Sequence, residues 1–435
     1  MYKKPEYVFF TVTILFAVSV FFFYQVNLGP LLKESGANPD LAEAIVMDNN
    51  DTQPQINPAL APDEPIPDKI ISPDRLAGPT LIKSVRLDLS SVAIPADFTN
   101  YAEEILGRLR KTGANAVYVS PWSDGRANYD SAIAPRNDFG QNKFLENFIT
   151  LAEKNNIKVY AWFVVGKDNF PFFSRPEWFA KTPDGKNYYQ EDEPGLQLPF
   201  ASLANGDYLD YHLKLISEVN ALPLSGWVIS EPVIGWGDKY DDFYTDFSPA
   251  ATDKFRKRSG MNAADLFNEN SGYYHEDNDS IHNDWINFRA GIVTDFVAAS
   301  MKEIRKKPDR SVIVTLFTEP DKTGRLIPLS DLKEWLGTDV PALIALKPDY
   351  LELQSLFADF EYPQKPAWTA DMVKQFHSQL PSHSPLLVSV QGFNVAPNDF
   401  VAAMTSAMNA DIKGVSFYAY HTLSDEHWRK LEDIW

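Results

Sequence analysis

The chain contains no cysteine, and this absence excludes several kinds of chemistry at once. Disulfide bonds, thiolate metal sites and a cysteine nucleophile all require thiols. A location in an oxidising compartment remains compatible with the sequence, because a large domain buries enough apolar surface to be stable without cross-links.

Histidine and the common nucleotide and hydrolase motifs are also scarce. Seven histidines occur in 435 residues, and none forms an H-E-x-x-H or H-x-H pattern. The G-x-S-x-G motif of serine hydrolases is absent, and no G-x-G-x-x-G follows the first strand-like segment. The sequence therefore predicts no bound metal and no cofactor. It also argues against a serine hydrolase and against a Rossmann fold.

Positive charge is in short supply. The chain has 40 Lys and Arg against 59 Asp and Glu, which gives a formal net charge of −19. Binding to a phosphate backbone needs clustered Lys and Arg, so nucleic acid is not an expected partner. An acidic surface supports solubility, and it would also suit a cationic ligand such as a partly deacetylated amino sugar.

A long uncharged segment lies near the N-terminus, at residues 8–26 (VFFTVTILFAVSVFFFYQV). A helix of this length would cross the roughly 30 Å hydrocarbon layer of a bilayer. Lys3 and Lys4 precede it, and the positive-inside rule places them in the cytoplasm. A cleaved signal peptide is the alternative, but it would have a shorter apolar stretch followed by an A-x-A site. We therefore expect a single-pass anchor in the inner (cytoplasmic) membrane, with the lipid bilayer as a partner.

The composition divides the chain into three parts. Residues 1–32 form the cytoplasmic stub and anchor, and residues 33–79 are rich in Pro, Asp, Asn and Ala. Such a segment cannot bury enough apolar surface to fold, and its prolines keep it extended. We interpret it as a linker that holds the folded body, residues 80–435, away from the bilayer on the periplasmic or extracellular side.

Short apolar runs alternate with helical segments throughout the body. Nearly continuous apolar runs of this length are typical of parallel strands that are covered on both faces. Eight such strands with helical connections favour a closed (β/α)₈ barrel over an open sheet. The predicted strands are 82–90, 116–121, 158–165, 226–232, 311–320, 350–355, 386–392 and 414–420. The predicted helices between them are 101–113, 142–156, 208–222, 285–307 and 399–410.

Acidic and aromatic side chains cluster where the predicted strands end, which is where barrel enzymes build their sites. Hydrolysis of a glycosidic bond needs two carboxyl groups, one to protonate the leaving oxygen and one to attack or to activate water. We expect Glu231 to be the general acid and Asp88 its partner, followed by Glu319 and Glu352. The candidate substrate-binding residues are Asp124, Trp122, Trp162, Trp236, Glu352, Gln354, Gln391, Tyr418, Tyr420 and His421.

Several of these segments also carry a family resemblance. They include VRLDLSSV (85–92), VYVSPWSDGRANY (117–129), KVYAWFVV (158–165), GWVISEPV (226–233), VTLFTEP (314–320) and LLVSVQGF (386–393). Over about residues 80–435, the chain resembles the C-terminal glycoside hydrolase domain of the bacterial biofilm poly-β-1,6-N-acetylglucosamine deacetylases. It is similar as well to the wider group of family-10-like glycosyl hydrolases. The resemblance implies substrate-facing acids at Asp88, Glu231 and Glu319.

One departure from that family affects the expected activity. The fourth strand of the family usually ends in two consecutive Asp residues, whereas this chain has Glu231-Pro232. The N-terminal deacetylase domain of the biofilm enzymes is replaced here by the anchor and linker, so deacetylation is not implied. Three hypotheses follow from the sequence. They are a glycoside hydrolase acting on an extracytoplasmic polysaccharide, a non-catalytic glycan-binding barrel that assists polysaccharide export machinery, and a barrel enzyme of another class, such as a lyase or isomerase.

Overall fold

The computed structural model describes residues 81–123, 125–167, 174–193, 196–234, 245–359, 362–380 and 384–435. The predicted anchor at 8–26 and the predicted linker at 33–79 lie outside these residues. Within the described ranges, no helix is both long and apolar enough to cross a membrane.

Eight parallel strands close into a barrel, which confirms the predicted (β/α)₈ architecture. Each strand pairs with the strands before and after it in the barrel, and the first pairs with the last. The barrel strands are β1 (Ile82–Leu87), β2 (Ala116–Val119), β5 (Lys158–Val164), β8 (Gly226–Ser230), β9 (Ser311–Leu316), β10 (Tyr350–Ser355), β11 (Leu386–Gln391) and β12 (Gly414–Tyr418).

Helices connect the strands and pack on the outside of the barrel. Several begin at a side-chain cap, as where Asp97 accepts hydrogen bonds from the N–H groups of Thr99 and Asn100. The described α-helices are α1 (Phe98–Lys111), α2 (Asp138–Gln141), α3 (Phe144–Lys154), α4 (Gly206–Asn220), α5 (Pro249–Ser259), α6 (Asp279–Ile304), α7 (Leu329–Leu336), α8 (Val340–Ala345), α9 (Trp368–Ser378), α10 (Pro397–Met408) and α11 (Asp425–Glu432).

The strands bury both of their faces in two separate apolar clusters. Tyr118, Tyr160 and Trp162 belong to the smaller cluster, which fills the inside of the barrel. Alternate residues such as Val117 and Val119 belong to the larger cluster between the strands and the helices. This division follows from the period-2 geometry of a strand and explains why the strand sequences are almost uninterruptedly apolar.

Two long connections follow the third and fourth barrel strands, one between β5 and α4 and the other between β8 and α6. The first contains the hairpin of β6 (Tyr189–Glu193) and β7 (Leu196–Pro199), and a smaller hairpin of β3 (Trp122–Ser123) and β4 (Arg126–Ala127) follows β2. Asp246 joins the two long connections. Its buried carboxylate accepts hydrogen bonds from Ser202 Oγ at 2.5 Å, from Ser248 N at 2.7 Å and from Lys181 N at 3.1 Å.

Candidate active site

Glu231 follows the last residue of β8, at the carboxyl end of the barrel. Its N–H donates to the carbonyl of Thr315 at 3.1 Å, and the next carbonyl, that of Pro232, accepts from Thr338 Oγ1 at 2.8 Å. Between these two fixed points the backbone of Glu231 is left-handed, with φ of 52°. That conformation costs a non-glycine residue about 1–2 kcal/mol. Strain of this kind concentrates at functional sites, which makes Glu231 the first candidate.

The carboxylate of Glu231 is held by two neighbours. Gln354 Nε2 donates to Oε1 at 2.9 Å, and Lys167 Nζ lies 3.3 Å from Oε2. Burial raises the pKa of this carboxyl. The Lys167 ammonium, the Gln354 amide and the Arg86 charge together outweigh burial, so the pKa of Glu231 lies below its ordinary value. The carboxyl is therefore ionised at neutral pH.

The ionised state bears on the general-acid role predicted for Glu231. A general acid must hold its proton near neutral pH, which requires a raised pKa. The environment of Glu231 does the opposite, because the positive charges around it stabilise the anion. The site therefore suits Glu231 as a nucleophile, a base or a stabiliser of developing positive charge.

Lys167 reaches Glu231 from a tightly built turn after β5. The preceding residue, Gly166, has φ of 76°, and a Cβ at that position would lie 2.4 Å from the ring of Phe200. The Gly166 carbonyl accepts from Ala201 N at 2.8 Å. Only glycine satisfies both the left-handed backbone and the close approach of the ring. This turn thereby fixes the direction from which Lys167 enters the mouth of the barrel, which is the open end formed by the carboxyl ends of the strands.

Asp88 follows the last residue of β1 and accepts hydrogen bonds from Ser90 and Tyr418. Ser90 donates from its N–H at 3.0 Å and from its Oγ at 2.7 Å, and the hydroxyl of Tyr418 donates at 3.3 Å. Burial and the negative charges of Asp88 and Glu231 raise the pKa of Tyr418 well above its ordinary value. Tyr418 therefore stays protonated and remains a hydrogen-bond donor to Asp88.

Three aromatic rings lie beside these acids. The rings of Trp162 and Tyr418 are 6.3 Å apart and nearly perpendicular, and the ring of Phe393 meets Tyr418 edge-on at 6.1 Å. Trp162 is largely covered, with its Nε1 directed to the carbonyl of Leu87 at 3.5 Å. Phe393 is only partly buried. Such faces and edges stack on sugar rings, and they also fill space between strands.

Two further predicted residues lie on the same rim. His421 is in a 3₁₀ turn just after β12, and its buried Nδ1 has no hydrogen-bond partner among the residues that the structure describes. Burial lowers the pKa of His421, while the charge of Asp88 acts in the opposite direction. Glu319 lies three residues beyond β9, is partly buried, and accepts a hydrogen bond at its carbonyl from Ile327 N at 3.0 Å.

Glu352 is deeper in the barrel than the sequence analysis expected. It has no exposed surface and forms a buried ion pair with Arg86. Thr315 Oγ1 donates to its Oε2 at 2.8 Å, and Ser416 Oγ donates to its Oε1 at 2.6 Å. Because side chains alternate along a strand, Glu352 and Gln354 share one face of β10. Alternation does not give depth, however, and Glu352 lies below the mouth, where protein groups already engage both of its oxygens.

Three other predicted substrate contacts belong to the packing of the barrel. Gln391 is fully buried and ties two loops together, accepting from Ala358 N at 2.9 Å and donating to the carbonyl of Phe393 at 3.1 Å. The ring of Trp122 stacks on Phe163 in the outer core, at 5.7 Å. Tyr420 packs on Trp428 at 5.1 Å, because the strand ends at Tyr418 and the inward alternation ends with it. Two more predicted contacts lie outside the described residues, namely Asp124 and Trp236.

Two residues of the site were not predicted from the sequence, namely Arg86 and Phe393. Arg86 lies inside the barrel below the site, where it contacts Ser230, Thr315 and Glu352. Arg86 lies two residues before Asp88 in a strand, so period-2 alternation would have placed it on the inward face. Phe393 carries no comparable signal, since it lies in a loop. In the part of the chain that the structure describes, no group of three or more His, Cys, Asp and Glu side chains is placed to hold a metal ion.

Comparisons with known proteins give the fold. No protein-family model matches the chain, and a search of curated proteins finds no match. The resemblance to the deacetylase-associated domain therefore has no support from sequence families. Solved structures do match, among them the β-galactosidase of the psychrophilic Marinomonas ef1, with a TM-score of 0.56 and 12% identity over 81% of this chain and 58% of that one.

Two other solved structures match the chain at a similar level. The α-L-fucosidase isoenzyme 2 of Paenibacillus thiaminolyticus gives a TM-score of 0.54 at 14% identity, over 81% of this chain and 48% of that one. The catalytic domain of the β-amylase of Paenibacillus polymyxa gives 0.56 at 10% identity, over 81% and 96%. The chain thus spans only about half the length of the galactosidase and the fucosidase. At these identities the likeness establishes a barrel fold that glycoside hydrolases also have.

Proposed function

We propose that the barrel is a glycoside hydrolase that cleaves a polysaccharide outside the cytoplasmic membrane. The observation that carries this proposal is the state of Glu231. Its carboxylate is held in an ionised form at the carboxyl end of a barrel strand, on a backbone with φ of 52°. A strained and largely buried anion at this place serves stability poorly and suits chemistry well.

The proposed reaction uses the carboxyl groups in different states. Glu231, as an anion, attacks the anomeric carbon or removes a proton from the attacking water. Asp88, oriented by the hydroxyl of Tyr418, stabilises the positive charge that develops on the sugar ring. We assign to Glu319, which lies just beyond β9, the protonation of the leaving oxygen, the role predicted from the sequence for Glu231. The separation of the two catalytic carboxyls then decides between retention and inversion.

The aromatic rings would supply binding rather than chemistry. Trp162, Tyr418 and Phe393 lie next to one another beside Asp88. Aromatic stacking together with a few directed hydrogen bonds is the usual way in which a cleft holds a ligand of mixed polarity. We propose a carbohydrate chain as that ligand, and an amino-sugar polymer as the first candidate, because the protein is strongly acidic.

The location of the reaction is also a proposal. The uncharged segment at 8–26 and the proline-rich linker at 33–79 would anchor the barrel at the inner membrane, on its outer side. A barrel placed there would meet polysaccharides during export, so polysaccharide export machinery is the partner we would look for first.

A second candidate function is a glycan-binding barrel without catalysis. The specific observation in its favour is that both oxygens of Glu231 are engaged, one by Gln354 and one by Lys167. Pro232, which stands where the resembling family has a second Asp, points the same way. In this version the mouth holds the polymer and the carboxylates serve only as hydrogen-bond acceptors.

A single assay separates the two functions. The full-length protein is incubated with a panel of β-linked polysaccharides that includes amino-sugar polymers, and new reducing ends are counted alongside binding. New reducing ends from at least one polymer support the hydrolase. Saturable binding without new ends from any of them supports the binding barrel. Neither binding nor cleavage across the panel contradicts both.

A further inference from the structure

A buried charge pair crosses the inside of the barrel below the mouth. Arg86 on β1 and Glu352 on β10 are 2% and 0% exposed, and they form an ion pair. The same nitrogen of Arg86, Nη2, also donates a hydrogen bond to Thr315 Oγ1 at 2.8 Å. Ser416 Oγ on β12 donates to the other carboxylate oxygen of Glu352. The network therefore links β1 and β12 to β9 and β10 across the barrel.

Arg86 also extends from this pair towards Glu231. Its Nη1 donates to Ser230 Oγ at 2.8 Å, and Ser230 is the residue immediately before Glu231. Its guanidinium lies 5.5 Å from the ring centre of Trp162, in cation–π geometry. The positive end of the pair thus lies directly beneath the strand end that carries the strained carboxylate.

Stability alone gives no reason for a charged pair at this depth. Removing two charges from water costs several kcal/mol per ion, and their attraction barely repays it. Apolar residues of similar volume are often as stable or more so. A buried pair of this kind is better explained by the field that it imposes on its surroundings, and Glu231 is the acid next to its positive end.

We propose that Arg86 is a positioning residue that keeps the Glu231 carboxylate ionised and fixes it through Ser230, while Glu352 limits how much of that positive charge reaches the mouth. The described charged and titratable groups around Glu231 include Lys167, Arg86 and Tyr418, with Glu352 acting through its ion pair with Arg86. Of these, Arg86 is one of the positive charges that lower the pKa of Glu231. The inference deepens the proposed function, because it explains how the carboxylate is prepared for its role there.

The test is a titration of Glu231 without any substrate. The full-length protein is labelled with carbon-13 at the glutamate side-chain carboxyl, and the Glu231 resonance is identified by its loss in Glu231→Gln. Two variants should move the pKa of Glu231 in opposite directions. Glu352→Gln leaves Arg86 unneutralised, so the pKa should fall. The double variant Arg86→Met with Glu352→Met removes both charges at similar volume and takes away the positive end that lies next to Glu231, so the pKa should rise.

Arg310→Met is the matched control. Arg310 is also a buried arginine, and it donates to the carbonyl of Leu222 at 2.8 Å, but it precedes β9 at the opposite end of the barrel. Its loss should lower stability and leave the titration of Glu231 unchanged. Opposite shifts in the two test variants, with no shift in the control, support the proposal.

Two results would overturn it. One is an unchanged titration of Glu231 in a folded double variant, and the other is a shift of the same size in Arg310→Met. If the double variant does not fold, Glu352→Gln decides alone, and a pKa of Glu231 that stays constant or rises contradicts the proposal. Because no substrate is involved, failure of this inference and failure to find a cleaved polysaccharide remain separate results.

Discussion

The Nζ atom of Lys167 lies 3.3 Å from Oε2 of Glu231, and each side chain is only about one-sixth exposed, at 16% and 17%. A pair so well covered is weakly screened by water and salt. Lys167 therefore acts on Glu231 as a strong, local positive charge. It keeps the carboxylate ionised and at the same time occupies one of the oxygens that would take part in a reaction.

Lys167→Met should make the activity more sensitive to acid. Without the ammonium, the pKa of Glu231 rises, because the positive charge paired with the carboxylate is gone. Activity that needs the ionised carboxylate is lost as the pH falls through that pKa, so the acidic limb of kcat/KM should move to higher pH. Lys333→Met, which removes a lysine paired with Asp339 on the outer helices, should leave the limb in place. If the acidic limb of kcat/KM stays at the same pH in Lys167→Met, a group other than Glu231 determines it.

Glu319→Gln should affect substrates according to their leaving groups. If Glu319 protonates the leaving oxygen, its loss should slow cleavage of a polysaccharide by about 10²-fold or more. Aryl glycosides with acidic phenols leave without protonation and should be cleaved at nearly the normal rate. Glu231→Gln should slow both kinds of substrate. Equal losses for both substrates in Glu319→Gln would contradict its assignment as the acid.

The backbone strain at Glu231 can be measured by comparing Glu231→Gly with Glu231→Ala. Both variants remove the carboxylate, but only glycine adopts φ of 52° without a steric penalty. The glycine variant should be more stable by about 1 kcal/mol in urea unfolding. Ser389, in the middle of β11, is the control, and there the alanine variant should be the more stable of the two. If the alanine variant is the more stable one at position 231 as well, the backbone of Glu231 is not strained.

His212 should make the fold sensitive to acid. It is buried among aromatic rings such as Phe163 at 4.6 Å and Phe296 at 4.8 Å, and burial lowers its pKa to about 3. The unfolded chain takes up this proton first, near pH 6.5, so the folded state loses stability as the pH falls from there. The loss is about 1.4 kcal/mol per pH unit. His212→Phe should remove most of this slope, whereas His377→Phe, at a partly buried histidine of α9, should not. Parallel pH profiles for wild type and His212→Phe would refute this reading.

Much of the fold was predictable because the strand signal is strong. The run at 158–165 matches β5 almost residue for residue, since a strand buried on both faces is largely apolar. The run at 350–355 matches β10 as well, although Glu352 and Gln354 interrupt its apolar residues. Shorter helices such as α7 and α8 were missed. They lie in the connection after β9, and their few turns give little periodicity to detect.

The candidate site was less predictable, for two physical reasons. Sequence indicates which face of a strand a residue occupies, but not how deep it lies, so it does not reveal that Glu352 is fully buried. A pKa depends on neighbours that are distant in the chain. Lys167 comes from the turn after β5 and Gln354 from β10, and no spacing in the sequence predicts that they meet at Glu231. Asp88 and Tyr418 were both expected at the rim, and the structure brings them into contact.

The central claim is that the ionised Glu231 carboxylate performs chemistry on a glycosidic bond. The most direct test is the rate at which new reducing ends appear from a polysaccharide that the wild-type protein degrades, compared with the rate for Glu231→Gln, which keeps the shape of the side chain. The account predicts a loss of at least about 10²-fold with the fold and polymer binding retained. Turnover by Glu231→Gln at the wild-type rate would contradict it.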